Sequence, residues 1–166
     1  MRRNLLFLFL GAALVAGCHN TTDDSFFGRF DTTPIDYSAE AARAKTGHKL
    51  LLLEFGSSDS CAPCMEFQKD VFSQPEFTSY ESSNLVFVRI DLPANSKLPS
   101  SVEATNVLLS KQFDVFAFPT FVAMDDAGQE IWRMPAKDDP NPGIDTRLFK
   151  PSEFIALIES VKAKRK

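Results

Sequence analysis

The sequence predicts an α/β domain whose central mixed sheet of about four strands is flanked by helices. Residues 50–55 and 85–90 are almost continuously apolar, which is typical of strands covered on both faces. The segment between them exceeds the dozen or so residues that a crossover needs, so we expect parallel neighbours. Residues 120–124 and 130–134 flank the turn sequence Asp-Asp-Ala-Gly at 125–128, which predicts a β-hairpin.

Helix signals fill the intervals between these strands. Asp36 or Ser38 can cap a first helix, which Gly47 would end. A second helix opens at Cys61, and the run Ser73-Gln74-Pro75 should break or kink it. These signals predict a helix before the first strand and another within the crossover.

Two further helices follow from the second half of the chain. Ser100 and Glu103 have the spacing of a capping box, which predicts a helix start at that point. Pro151 suits the first turn of a last helix, and Pro135 should end the second strand of the hairpin. The element order is therefore helix, strand, helix, strand, helix, hairpin, helix.

The first residues have the pattern of a signal peptide. Arg2 and Arg3 precede the apolar run from Leu5 to Ala16, which is shorter than the about 20 residues that a membrane-spanning helix needs. The sequence Leu-Val-Ala-Gly-Cys that ends at Cys18 resembles a bacterial lipobox, in which the cysteine is lipidated after cleavage. Ordinary cleavage near Gly17, leaving a free thiol, is the alternative.

These features divide the chain into three parts. We expect a signal peptide over 1–17, a lipidated Cys18 with a tether over 18–35, and one domain over 36–166. Without the two arginines of the leader, the chain has 16 basic and 22 acidic residues, a net charge of −6. Because no basic stripe precedes the terminal cluster 162–166, nucleic acid is not an expected partner.

Cys61-Ala62-Pro63-Cys64 carries the chemistry of the predicted domain. Two thiols separated by two residues at a helix start can close a small disulfide ring, and the helix end stabilises the first as a thiolate. A zinc site is one alternative, but it needs two more ligands, and the remaining choices are Cys18, His19 and His48. A purely structural disulfide is the other alternative.

The element order and the segment Phe118-Pro119-Thr120 give this motif a wider context. A Cys-X-X-Cys after the first strand, with a proline just before the third, resembles the thioredoxin superfamily over roughly 37–161. The chain is also similar to the periplasmic thioredoxin-like domain of the electron transporter DsbD. The resemblance implies a thioredoxin-like fold and a cis Pro119 beside the cysteine pair.

The same resemblance implies a role for each site residue. Cys61 would be the nucleophile and Cys64 the resolving thiol, the two forming the redox-active disulfide. Phe118, Pro119 and Thr120 would bind substrate. The redox chemistry then needs no organic cofactor and no metal.

Glu54 is the one charge in the first apolar strand. In the superfamily an acidic residue there assists proton movement at the resolving thiol, and burial would raise its pKa into a useful range. Six residues separate Glu54 from Cys61, one more than in thioredoxin itself. The alternative is a carboxylate that turns outward or pairs with a lysine or arginine.

Together these features predict a membrane-tethered thiol:disulfide oxidoreductase facing the periplasm of a bacterial envelope. Ala-Pro between the thiols resembles the Gly-Pro of reducing thioredoxins, so we expect a reductase of substrate proteins, supplied by an envelope electron donor. His19 after the lipobox cysteine favours the outer membrane over the inner. The alternative function is a redox-inactive or copper-handling binding module, since soft thiolates suit Cu(I).

Overall fold

The computed structural model describes residues 33–137, 139 and 143–165. The predicted signal peptide, the lipidated Cys18 and all of the tether up to residue 32 lie outside the described residues. Among the helices within the described ranges, none is long and apolar enough to cross a membrane.

The α-helices are α1 Tyr37–Thr46, α2 Ala62–Phe67, α3 Pro75–Asn84, α4 Ser100–Gln112 and α5 Pro151–Lys162. The strands are β1 Leu50–Gly56, β2 Leu85–Asp91, β3 Thr120–Met124 and β4 Glu130–Met134.

The four strands of the described residues form one mixed sheet in the order β2-β1-β3-β4. β1 and β2 are parallel and in a register that places Leu50 opposite Leu85. β3 runs antiparallel to both β1 and β4, which confirms the predicted hairpin. The predicted fold class, a mixed four-stranded sheet flanked by helices, is therefore confirmed.

Continuous apolar character in β1 follows from helices on both faces of the sheet. All seven residues of β1 and all seven of β2 are buried. One face packs under α2, α3 and α5 through the cluster Leu50, Leu52, Phe67, Phe72, Phe77, Phe121, Phe154 and Ile158. The opposite face packs under α1 and α4 through Ala44, Leu51, Leu53, Phe55, Leu109, Phe113 and Val122. Because side chains alternate along a strand, each apolar run supplies both cores.

The predicted side-chain cap is present at the start of α1 and absent at the start of α4. Asp36 caps α1, its Oδ1 accepting from Ala39 N at 3.0 Å, and Gly47 follows the helix end. The capping-box prediction at Ser100 and Glu103 is wrong, because Pro99 occupies the cap position and no side chain caps α4. Ser100 is already the first helical residue, so its hydroxyl is one position too late to cap.

The helix that begins after Cys61 does not stay α-helical. α2 passes at Gln68 into a five-residue π-helix, Gln68–Phe72, before the break at Ser73 and Gln74. The predicted break before Pro75 is present, and Pro75 starts α3. π-Helical turns often occur near functional sites because they redirect the side chains that follow.

Candidate active site

Cys61 and Cys64 lie where β1 leads into α2. Their sulfurs form a disulfide, with Cα atoms 5.2 Å apart. Cys61 is the N-cap residue of α2, and Cys64 N donates to Cys61 Sγ at 3.2 Å. Cys61 is 5% exposed and Cys64 is fully buried, so Cys61 is the more accessible of the two cysteines.

Pro119 enters the sheet at the same end. The Phe118–Pro119 peptide bond is cis, and Thr120 pairs with Phe55 near the end of β1 from which the Cys61 loop departs. Pro119 is buried, and Thr120 is 1% exposed with its Oγ1 donating to Ala117 O at 2.7 Å. Of the three residues expected to bind substrate, Phe118 is therefore the one whose side chain is accessible.

Apolar side chains are exposed around this end of the sheet. Phe116 is 52% exposed, Phe118 39% and Met65 41%, and they make up three of the four large apolar side chains exposed in the described ranges. Phe116 and Phe118 alternate through the segment that leads to Pro119, and Met65 directly follows Cys64. Phe116 was not predicted as a site residue, since it lies in a loop, where no helix or strand periodicity indicates which side chains face solvent.

Glu54 is buried beneath the active-site helix, which is α2 together with its π-helical continuation, and pairs with an arginine. It shares its face of β1 with Leu50 and Leu52, which pack against Phe67 of α2. Arg89 stands opposite Glu54 in β2, and its Nε donates to Glu54 Oε2 at 2.5 Å. Of the alternatives open for Glu54, the structure shows the carboxylate paired with arginine and turned inward.

Arg89 links this carboxylate to the active-site helix. Its Nη1 donates a hydrogen bond to Gln68 Oε1, one turn after Cys64, and its guanidinium lies 4.8 Å from the centre of the Phe72 ring. Sequence reasoning missed Arg89, whose single charge in the apolar run 85–90 was the available signal. The network therefore joins β1, β2 and the helix that carries Cys64.

Two opposing effects act on the Glu54 carboxyl. Burial raises its pKa, and the positive charge and hydrogen bond of Arg89 oppose that rise without cancelling it. Glu54 Oε1 is buried and has no hydrogen-bond partner in the described part of the chain. One oxygen of this carboxylate is thus held by Arg89, while the other is available to a proton.

Metal-ligating side chains do not cluster in the part of the chain that the structure describes. No group of three or more histidine, cysteine, aspartate or glutamate residues within those ranges is arranged to hold a metal ion.

A Cys-X-X-Cys disulfide at the start of a helix, beside a cis proline in a mixed sheet of this topology, defines a class of protein. That class is the thioredoxin-like domains. Residues 37–140 match the family profile described as a thioredoxin-like domain, and the chain belongs to that family.

Curated relatives and a solved structure agree with this assignment. The chain is 30% identical over 98 residues to Disulfide bond reductase DsbH of Chlamydia pneumoniae, a match covering 59% of each chain. It is 31% identical over 88 residues to Thiol:disulfide interchange protein DsbD of Haemophilus ducreyi, covering 53% of this chain and 14% of that protein. The chain thus spans about three fifths of the first relative and a small part of the second.

The solved structure of a DsbH oxidoreductase has the same fold. It superposes with a TM-score of 0.61 at 24% identity, covering 81% of this chain and 87% of that chain. The predicted membership of the thioredoxin superfamily and the similarity to the thioredoxin-like domain of DsbD are confirmed.

Proposed function

We propose that this protein is a membrane-tethered thiol:disulfide oxidoreductase of a bacterial envelope that reduces disulfides in substrate proteins. The observation that carries the proposal is the Cys61–Cys64 disulfide at the start of α2, with the more accessible sulfur on Cys61. A dithiol in this arrangement can accept a disulfide from a partner and hold it as a small ring.

The reaction proceeds in two exchange steps. In the reduced protein, the Cys61 thiolate attacks one sulfur of the substrate disulfide, forming a mixed disulfide and releasing the other substrate sulfur as a thiolate that takes up a proton. Cys64 then loses its proton and attacks Cys61 Sγ, which forms the intramolecular disulfide and releases the second substrate thiol. Two electrons pass from the protein dithiol to the substrate, and an external dithiol donor restores Cys61 and Cys64.

Glu54 is the proposed proton acceptor for Cys64. The buried Cys64 thiol must ionise in surroundings that disfavour charge, so a nearby base lowers the barrier to its attack. Glu54 lies on the sheet face beneath the helix of Cys64, its pKa is raised by burial, and its Oε1 has no hydrogen-bond partner among the described residues. Arg89 holds Oε2, which leaves Oε1 for the proton.

An extended polypeptide is the proposed substrate form. Phe116 and Phe118 offer apolar contact on the segment before Pro119, and Met65 offers it beside Cys64. The chain around Pro119 and Thr120 provides backbone groups rather than accessible side chains. Apolar residues flanking the substrate disulfide would therefore strengthen binding.

The direction of transfer and the location rest on sequence features. Ala-Pro between the cysteines resembles reducing thioredoxins, and one relative carries the name disulfide bond reductase. The leader and Cys18 support a lipid-anchored protein facing the periplasm, with the outer membrane favoured. An oxidising compartment would then require an envelope electron donor, which is a role suited to a membrane transporter of reducing equivalents.

A trapping experiment tests the proposal. Cys64→Ser, expressed as the full chain with its leader in a bacterial envelope, leaves Cys61 able to attack but unable to release its substrate. We expect mixed disulfides on non-reducing gels that disappear after reduction and are missing from Cys61→Ser. If Cys64→Ser yields no such adducts, the proposed activity is wrong.

A reduction potential separates the two directions of transfer. Equilibration of the purified domain with glutathione should give a value near that of thioredoxin, about −270 mV, for a reductase. A value near about −120 mV would reverse the proposed direction and make the protein an oxidant.

A further inference from the structure

Four residues, 57–60, carry the chain from the end of β1 to Cys61, and a carboxylate within them is bound by the loop after β2. Asp59 Oδ1 accepts from Ala94 N at 2.8 Å, and Oδ2 accepts from Asn95 N at 2.9 Å. Oδ2 also accepts from Ser96 N at 2.7 Å and from Ser96 Oγ at 2.9 Å. Three consecutive backbone amides thus converge on one side chain, in the manner of a backbone anion site.

A second carboxylate holds the neighbouring residue. Asp91, at the end of β2, accepts from Ser58 N at 2.8 Å and from Ser58 Oγ at 2.7 Å. Asn106 of α4 donates to Asp91 O at 2.8 Å, so this attachment is itself fixed to the core. Ser58 and Asp59 therefore attach the short loop before Cys61 to β2 and to the loop that follows it.

The contacts to Asp59 are strong enough to keep its carboxyl ionised. Desolvation opposes the charge, but the hydrogen bonds from the amides of 94–96 and from Ser96 Oγ outweigh it and hold the pKa of Asp59 below its usual value. Hydrogen bonds that involve a charged group are shorter and stronger than neutral ones. The attachment is therefore intact throughout the pH range in which a thiol reacts.

Ser60, the last residue before Cys61, depends on this attachment. Its hydroxyl lies 2.7 Å from Ser57 Oγ, and Ser57 Oγ donates in turn to Asp59 Oδ1 at 3.2 Å, so the side-chain contacts of Ser60 lead back to Asp59. Cys61 Sγ accepts the hydrogen bond from Cys64 N at 3.2 Å, and keeping it requires the Cys61 backbone to stay in place.

We propose that Asp59 is a positioning residue for Cys61, whose hydrogen bonds from residues 94–96 hold the preceding loop so that Cys61 Sγ stays within reach of Cys64 N–H. The role assumes the proposed function, in which Cys61 reacts as a thiolate. A sulfur held near a backbone amide is stabilised as thiolate, whereas a sulfur on a loosened loop loses part of that stabilisation. Asp59 thereby sets the reactivity of the nucleophile without touching substrate.

The rate of Cys61 alkylation tests this role without any substrate. The full chain is reduced and treated with iodoacetamide at about pH 6, where reactivity follows the thiolate fraction, and modification of Cys61 is followed by peptide mass. We expect D59A to slow alkylation by about threefold and D59N, which keeps an acceptor oxygen, to slow it less. If Asp59 acted only through its charge, both variants would speed the reaction equally, because a nearby anion would be gone.

Two control variants test whether a slower alkylation comes from the loss of a nearby charge or from a general loss of loop contacts, rather than from the position of Cys61. Glu66→Gln removes an exposed carboxylate two residues after Cys64 and should leave the rate unchanged or slightly raised. Asp125→Ala removes a similar set of contacts, from Ala127 N and Gln129 N in the hairpin turn, and should also leave it unchanged. An unchanged or faster rate in a folded D59A would overturn the inference, and D59N carries the test should D59A not fold.

The outcome is independent of the trapping experiment. If the wild-type protein is active and D59A is alkylated at the wild-type rate, only the positioning role is refuted. A slowed D59A in a protein that traps no substrate refutes the proposed activity, while the effect of Asp59 on the reactivity of the Cys61 thiol stands.

Discussion

Arg89 and Glu54 stand directly opposite each other in parallel strands, and Arg89 Nε donates to Glu54 Oε2 at 2.5 Å in a site that water hardly reaches. The side chain of Glu54 is fully buried and that of Arg89 is 8% exposed. Removing one partner of such a pair leaves a charge without compensation, whereas removing both can be nearly neutral. The pair lies under the helix of Cys64, so it links the stability of the sheet to the active site.

Loss of Arg89 should destabilise the fold strongly. We expect Arg89→Met to lower the free energy of unfolding by about 3–5 kcal/mol, because Glu54 is left buried and unpaired. Adding Glu54→Leu to Arg89→Met should recover most of that loss. Urea unfolding of the oxidised proteins measures both values.

The exposed pair of Arg43 and Glu40 provides the control. Arg43→Met should cost less than about 1 kcal/mol, since the Arg43 side chain is 58% exposed and its charge is solvated. Equal losses for Arg89→Met and Arg43→Met would contradict the importance of burial.

Glu54 should make stability fall as pH rises. Its pKa is raised in the fold, so the folded protein binds the proton more tightly than the unfolded chain does. Below the unfolded value, about 4.3, the carboxyl is protonated in both states and its contribution is fully present. That contribution is lost as the pH passes through the raised folded value.

Comparison with Glu54→Gln isolates this effect. The unfolding free energy of the wild type minus that of Glu54→Gln should decrease from about pH 4 upward, because the amide does not titrate. Asp91, whose pKa burial also raises, titrates in both proteins, so its own burial affects both curves. Urea unfolding over a pH series gives the difference, and a constant or rising difference would show that the Glu54 pKa is not raised.

Phe116 and Phe118 should contribute to the binding of protein substrates. Phe116→Ser and Phe118→Ser should each raise KM for the reduction of a protein disulfide by about fivefold, which corresponds to partial burial of one aromatic ring. Reduction of a small aromatic-free disulfide should change little. Leu108→Ser, on α4 at 67% exposure, is the matched control and should leave both reactions unchanged. The docking role is refuted if Leu108→Ser and Phe116→Ser behave alike.

Phe154 should be a major determinant of core stability. Its ring centroid lies 5.4 Å from that of Phe67, 5.8 Å from that of Phe72 and 5.3 Å from that of Phe121, so it packs α5 against the active-site helix and the sheet. Phe154→Ala should reduce the free energy of unfolding by about 3–5 kcal/mol, measured in urea. Phe116→Ala, at a half-exposed side chain, is the control and should lower the free energy of unfolding by less than about 0.5 kcal/mol. A similarly small decrease for Phe154→Ala would contradict the prediction and would mean that the core collapses around the cavity.

The strands and the hairpin were predictable because their signals are local. Apolar runs, a turn sequence and prolines identify β1 to β4 within one or two residues of their observed ends. The start of α4 at Ser100 was predictable too, but its cap was not, because Pro99 occupies the cap position and no side chain caps the helix. The π-helix Gln68–Phe72 likewise has no local signature in the sequence.

The positions of Cys61, Cys64 and Pro119 could be found from the sequence because each belongs to a short motif in a recognisable element order. The partners of Glu54 and Asp59 could not. Arg89 is 35 residues from Glu54 and Ala94 is 35 residues from Asp59, and each pairing depends on the register of β1 against β2.

The sequence by itself therefore determined the fold class, the family resemblance and the dithiol pair. Only the tertiary structure decided that Glu54 is compensated by Arg89, that Asp59 is bound by three amides and that Phe116 faces solvent. The physical reason is the distance along the chain over which each kind of interaction acts. Turn, helix and strand preferences act between near neighbours, whereas burial, charge pairing and exposure are properties of surfaces that the folded chain brings together.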